Sequence, residues 1–204
     1  MSFACNRRCF LAATVRTVAG VALTGVGVTS TGGTVNAGAG TILVDGNDGA
    51  INLAGALTTT SNLATAVTVR DATTAALGNI TTGATGTTTL GSAGVNNLSG
   101  AVTQTGVINT GTLIGNTGSS VVLGGANVLT NVGAFTTNGA LTVNDSTLGL
   151  NVTGAVTTTN NGLASITTTG GTLAVTTGSV AGAGVTLVDS AATTARAVRG
   201  LLHE

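Results

Sequence analysis

The sequence predicts an all-β fold, a β-solenoid in which short strands stack turn upon turn at about 22 to 25 residues per turn. Three observations predict it. A Gly-led phrase recurs along the chain, a second phrase ending in Asp recurs at compatible spacing, and 204 residues contain no proline. A central solenoid strand donates hydrogen bonds to the next turn, which proline cannot do.

The Gly-led phrase is clearest between Gly133 and Gly162, as Gly-Ala-Phe-Thr-Thr-Asn, Gly-Ala-Leu-Thr-Val-Asn and Gly-Ala-Val-Thr-Thr-Thr. Each has a small start, one larger apolar residue, then Thr or Asn in alternation, the period-two pattern of a strand between turn residues. Such phrases begin at Gly33, Gly55, Gly78, Gly100, Gly125, Gly154 and Gly178, at intervals of 22, 23, 22, 25, 29 and 24. The interval of 29 predicts an inserted loop before Gly154. The second phrase runs Thr41 to Asp45, Val67 to Asp71, Leu141 to Asp145 and Val185 to Asp189. Its inward residues are expected to be Leu43, Val67 with Val69, Leu141 with Val143, and Val185 with Leu187. Leu57, Val102, Val156 and Phe135 are expected inward from the Gly-led phrase. Asp45, Asp71, Asp145 and Asp189 are expected at corners, where a carboxylate can accept from nearby backbone N–H groups.

Composition fits this plan. Forty-three residues are Thr, whose stiff χ1 favours strands. There are three Phe and no Trp or Tyr, too little aromatic volume for a thick core, while 42% of residues are apolar. Six Arg balance six acidic residues without a basic patch, which excludes nucleic acid as a partner. No charge-free apolar segment reaches membrane-spanning length, so membrane insertion is not expected.

Taken in order, residues 1–31 read as an export signal or an N-terminal cap. Asn6-Arg7-Arg8-Cys9-Phe10-Leu11 is similar to a twin-arginine signal through Arg7, Arg8, Phe10 and Leu11, with Val35-Asn36-Ala37 as a small-residue cleavage site. Arg16 interrupts the apolar run that follows. Cys5 and Cys9 are incidental leader cysteines, since a metal site needs more ligands. Residues 32–189 are the solenoid repeat domain. Residues 190–204 lose the pattern and read as a C-terminal tail or a short capping helix started by Ser190. The strand edges at the two ends predict self-association with neighbouring solenoid ends.

The run from Gly100 to Asp145 carries Thr-Gln-x-Gly-x-Ile, Gly-Thr-Leu-x-Gly, Gly-Ala-Asn and Gly-Ala-Phe in that order. It resembles the repeats of filamentous-haemagglutinin-like exoproteins of the Gram-negative two-partner secretion pathway, and of the related autotransporter passengers. The likeness covers about residues 40–190. It implies a right-handed parallel β-helix, secreted or held at the cell surface, acting in adhesion toward glycans or proteins of host or neighbouring cells. The family's long N-terminal secretion domain and aromatic-rich C-terminal strands have no counterpart in these 204 residues, so the resemblance implies a fragment.

Chemistry-bearing clusters are sparse. Asp45-Gly46-Asn47-Asp48-Gly49 has calcium-ligand character, but it occurs once and a plain turn accounts for it. General acid–base work needs a second group of different pKa, and the only His is His203 in the tail. No enzyme activity, no metal and no cofactor are expected. Thr58, Thr60, Thr81, Thr103, Thr105, Thr157 and Thr159 fall at similar places in successive phrases. Stacked outward, they would form a hydroxyl and methyl ladder resembling the ice-binding faces of β-solenoid antifreeze proteins. An adhesive or structural segment is the expected function, with ice binding as the alternative.

Overall fold

The computed structural model describes residues 20–147 and 149–189, and the backbone of three short strands before them. Among these residues the strands pair in parallel, each lying on the strand one turn earlier. This is the β-solenoid that the two phrases predict.

Strands β1 (Ser2–Cys5), β2 (Cys9–Leu11) and β3 (Val15–Arg16) lie on three successive faces. On them lie β4 (Val21–Gly25), β5 (Val28–Ser30) and β6 (Thr34–Asn36), one for one. Next come β7 (Ile42–Leu53), which bends across the first two faces, and β8 (Ala56–Thr58) on the third. The same plan returns in β9 (Val67–Leu77) and β10 (Ile80–Thr81), then in β11 (Thr87–Leu90), β12 (Val102–Gln104) and the start of β13 (Ile108–Thr117). Then β14 (Val121–Thr137) runs through all three faces. The stack ends with β15 (Leu141–Asp145), β16 (Gly149–Val152), β17 (Ala155–Thr158), β18 (Leu163–Thr168), β19 (Thr172–Val175), β20 (Ser179–Ala181) and β21 (Gly184–Asp189).

On the second face Cys9, Val28, Ile51, Ala75, Val102, Val121, Leu141, Ala164 and Val185 stand one above another, nine rungs in one column. Eight steps of about 4.8 Å make a stack of about 38 Å. On the first face the column runs Val21, Ile42, Val67, Thr88, Leu113, Val132, Val152, Val175, so a turn there takes 19 to 25 residues.

Alternation decides what is buried. In β15 Leu141, Val143 and Asp145 point in while Thr142 and Asn144 are half-buried. Backbone N–H groups donate along the stack, as Val21 to the Thr41 oxygen at 2.8 Å and Ile42 to the Ala66 oxygen at 2.9 Å. The core is thin and aliphatic, and Phe135 heads its fully buried side chains. The ring uses space left by the turn below: a Cβ on Gly115, its partner, would lie 2.6 Å from the Phe135 Cζ.

Leu57, Val69, Val102, Phe135, Leu141, Val143 and Val156 are inward and at most 2% exposed. Two expectations are corrected. Leu43 is half-buried, and Ile42 and Val44 fill the core instead, because they stack on Val21 and Leu23. Val185 and Leu187 are 45% and 37% exposed, because no described strand lies on β21.

The Gly-led phrases share a period without sharing a face. Those at Gly33, Gly55 and Gly78 open the third face, whereas the one at Gly100 leads into β12 on the second. The phrase that stacks on Gly78 is Gly106-Val107-Ile108, since Ile108 pairs with Ile80, 28 residues earlier. The inserted loop is therefore at residues 91–99, with a short 3-10 turn at Gly94–Asn96 and Val95 86% exposed, and not before Gly154. The solenoid also begins before residue 32, since β4 and β5 lie between β1–β2 and β7. Phe10 and Leu11 lie in β2, and Val35 and Ala37 are buried, so cleavage after Ala37 would remove β1–β6 from the stack. Arg7, Arg8 and the tail expected over 190–204 lie outside the described residues.

Candidate functional site

The seven candidate threonines do not form one ladder. Thr58 and Thr81 stack on the third face, between Asn36 on one side and Asn109 on the other. Thr103 is on the second face between Ala76 and Val122, and Thr157 is on the first between Thr136 and Ala181. Thr60, Thr105 and Thr159 lie just past strand ends. Their hydroxyls donate to the carbonyls of Gly38, Leu77 and Thr137 at 3.0, 3.2 and 3.2 Å.

Other threonines form the continuous structural columns, and they are buried. Thr117, Thr137 and Thr158 stack and are at most 6% exposed. Their hydroxyls donate to the carbonyls of Ser119 (2.9 Å), Gly139 (2.5 Å) and Gly162 (2.6 Å), closing the same corner in three turns. A second set comprises Thr59, Thr82 and Thr110, with Thr82 and Thr110 hydroxyls 2.9 Å apart. The sequence carries a signal for them. Five of the six stand two residues after a buried apolar position, Leu57, Ile80, Ile108, Phe135 or Val156, so strand parity puts them inside; Thr117 follows Gly115, which stacks on Phe135.

Three of the four aspartates, Asp45, Asp71 and Asp145, have different settings. Asp45 accepts from the Asn47 N–H at 3.1 Å, as a corner carboxylate should, and pairs with Arg70 Nε at 2.8 Å. Asp71 stands one residue beyond Arg70, in the left-handed region at φ 50°. Burial pushes its carboxyl pKa up, helped by the charges of Asp48 and Asp45 and opposed by the Asp48 N–H and Arg70. Among the described residues no group of three or more His, Cys, Asp or Glu side chains is placed to hold a metal ion.

Asp145, at the end of β15, also accepts from backbone N–H groups, and it is buried, at 1% exposed. Its Oδ1 accepts from the Leu129 N–H at 2.9 Å. Its Oδ2 accepts from Thr147 N–H (3.1 Å), Thr147 Oγ1 (2.7 Å) and Thr168 Oγ1 (3.1 Å). Thr147 Oγ1 also donates to the Leu129 carbonyl at 3.1 Å. The chain cuts from β15 to the first face here, so no described strand lies on Leu129. The two side chains supply the hydrogen bonds that a strand would have made. Below Asp145 the column continues through Asn127 to Gln104, whose amides bond one another. Above it come Thr168 and Asp189.

The same missing strand leaves an open groove of about 360 Å³, lined by Asn109, Val128, Thr130, Thr147 and Gly149 among others. Its lining carries amide, hydroxyl and aliphatic groups and no ionisable side chain, an arrangement suited to weak neutral contacts and not to proton transfer. No family model matches the chain, and neither a curated protein nor a solved structure is found that is similar to it.

Proposed function

We propose that this chain is a structural and adhesive segment of a secreted or surface-held exoprotein of a Gram-negative bacterium, without catalysis. The single observation that carries the reading is the outer surface of the stack. On the second face Thr103, Val122, Thr142, Ser165 and Thr186 succeed one another at five rungs, a column of small, uncharged side chains on a rigid support. Repetition of that kind suits many weak contacts with glycans or proteins of host or neighbouring cells, since linked weak contacts multiply. The resemblance of Gly100–Asp145 to filamentous-haemagglutinin-like repeats supports the same reading. Ice binding is less favoured, because the stacked pairs Thr58–Thr81 and Thr136–Thr157 end on Asn or Ala.

Binding of the purified chain to host cells and arrayed glycans, beside thermal hysteresis, separates the two. Binding that survives Thr58→Lys and Thr157→Lys, with no hysteresis, is expected. Hysteresis abolished by those substitutions would replace the adhesive reading with ice binding.

A further inference from the structure

Two Asn-Gly pairs occur in the sequence, Asn138-Gly139 and Asn161-Gly162. The fold sets them at one corner in successive turns, just past the buried Thr137 and Thr158, which stack on each other. Asn followed by Gly is the dipeptide in which a main-chain nitrogen most readily attacks the preceding side-chain amide, because glycine has no Cβ to shield that nitrogen. The attack needs a nitrogen whose N–H is not already held by an acceptor.

The two corners differ at that nitrogen. The Gly162 N–H donates to the Thr159 carbonyl at 2.9 Å, and the Gly162 carbonyl accepts from Thr158 Oγ1 at 2.6 Å and from the Ala183 N–H at 3.1 Å. Among the described residues nothing accepts from the Gly139 N–H, although its neighbours on both sides are held. The Asn138 N–H donates to the Thr117 carbonyl at 3.0 Å, and the Ala140 N–H to Ser120 Oγ at 3.2 Å. Asn138 is exposed, so water reaches it. Its Oδ1 accepts from Thr159 Oγ1 of the next turn at 3.1 Å. A donor thus already stands on the oxygen where negative charge develops during the attack.

We propose that Asn138 is a site of self-modification, deamidating through a cyclic imide in the folded chain while Asn161 is protected. The Gly139 nitrogen bonds to Asn138 Cγ, the Cγ–Nδ2 bond breaks, and the Gly139 proton leaves with the amide nitrogen as ammonia. Water then opens the imide at either carbonyl, giving aspartate or isoaspartate at position 138, and nothing is oxidised or reduced. The product matters because of where it stands. Between residues 72 and 188 the only ionisable side chain is Asp145, which is buried. Deamidation places an exposed charge on that otherwise neutral length, at the corner between the first and second faces. The isoaspartate form also lengthens the main chain between two N–H groups that the neighbouring turn holds. The corner geometry alone carries this, so it stands or falls separately from adhesion.

The test is incubation of the 204-residue chain in warm, mildly alkaline buffer, with peptide mass spectrometry at each Asn and ion-exchange chromatography of the intact chain. Acid is expected at position 138 about five-fold faster than at position 161, which is what one hydrogen bond of ordinary net strength on the Gly162 nitrogen is worth. In urea the corners are lost, and the two rates are expected to converge. Asn138→Asp should co-elute with the aspartate form of the aged chain, and Asn138→Gln should not form the acidic species. Thr159→Val should slow the reaction at position 138 in the folded chain and leave its rate in urea unchanged. Circular dichroism checks that each variant keeps its strands. Equal rates at the two sites in the folded chain, or a faster Asn161, would overturn the proposal. So would a folded chain that keeps both amides while the sample in urea loses them. A faster reaction in Thr159→Val would remove the hydroxyl from the step.

Discussion

Thr88 stands in the first-face column between Val67 and Leu113, fully buried, and its hydroxyl has no hydrogen-bond partner. A buried hydroxyl without a partner costs about 1–3 kcal/mol, and valine has nearly the same shape. Thr88→Val is therefore expected to stabilise the chain by about 1 kcal/mol, read as a higher urea midpoint at unchanged slope. Asp71 gives a pH-dependent counterpart. Its pKa is raised in the folded chain above the ordinary 3.8, so as pH rises the unfolded state loses this proton first. Asp71 thus contributes a loss of stability that begins as pH rises through 3.8 and is complete above the raised folded value. Asn accepts the positive φ at this position and carries no charge. Asp71→Asn should raise the urea midpoint at pH 7, and the gain should disappear at pH 3. An equal gain at both values would mean that charge is not the cause.

At the scale of the element, Asp145 and Thr147 stand in for a strand. Asp145→Ala leaves the Leu129 N–H and the Thr147 N–H without their acceptor, while the Thr168 hydroxyl keeps the Thr147 carbonyl. With buried groups losing about 1–3 kcal/mol each, the total loss should be at least about 2 kcal/mol. Asp145→Asn, which keeps an acceptor oxygen, should lose less, and thermal melts of the two variants rank them. The strand itself was legible, since Leu141-Thr-Val-Asn alternates without ambiguity. The role of its last residue was not. Asp145 takes donors from Leu129, a turn below, and Thr168, a turn above, and neither is near it in sequence. Leu43 failed for a different reason: Ile42-Leu43-Val44 is apolar throughout, so parity has no phase, and stacking on Val21 and Leu23 supplies it. The threonine ladder failed because period-two reading tells inside from outside but not one face from another. A turn takes from 19 to 28 residues, so equal spacing does not place residues on the same face.

For the whole molecule, each turn touches mainly its two neighbours, so protection should follow position along the stack. Amide exchange is expected to be slowest at Ala75, Val102 and Val121, in the middle, and fastest in β19–β21, on whose far side no described strand lies. Uniform protection would indicate that both ends are covered in solution. The interlock of Phe135 with Gly115 has a consequence of another kind. A chain of near-identical phrases can misthread, with a strand docking one whole repeat too early or too late while every backbone hydrogen bond is still made. Docking one repeat too early would face the Phe135 ring with Leu90, where no glycine leaves room, and would separate Asp145 from Asn127. One bulky ring and one carboxylate thereby act as a key, numbering turns that their threonines and glycines leave interchangeable.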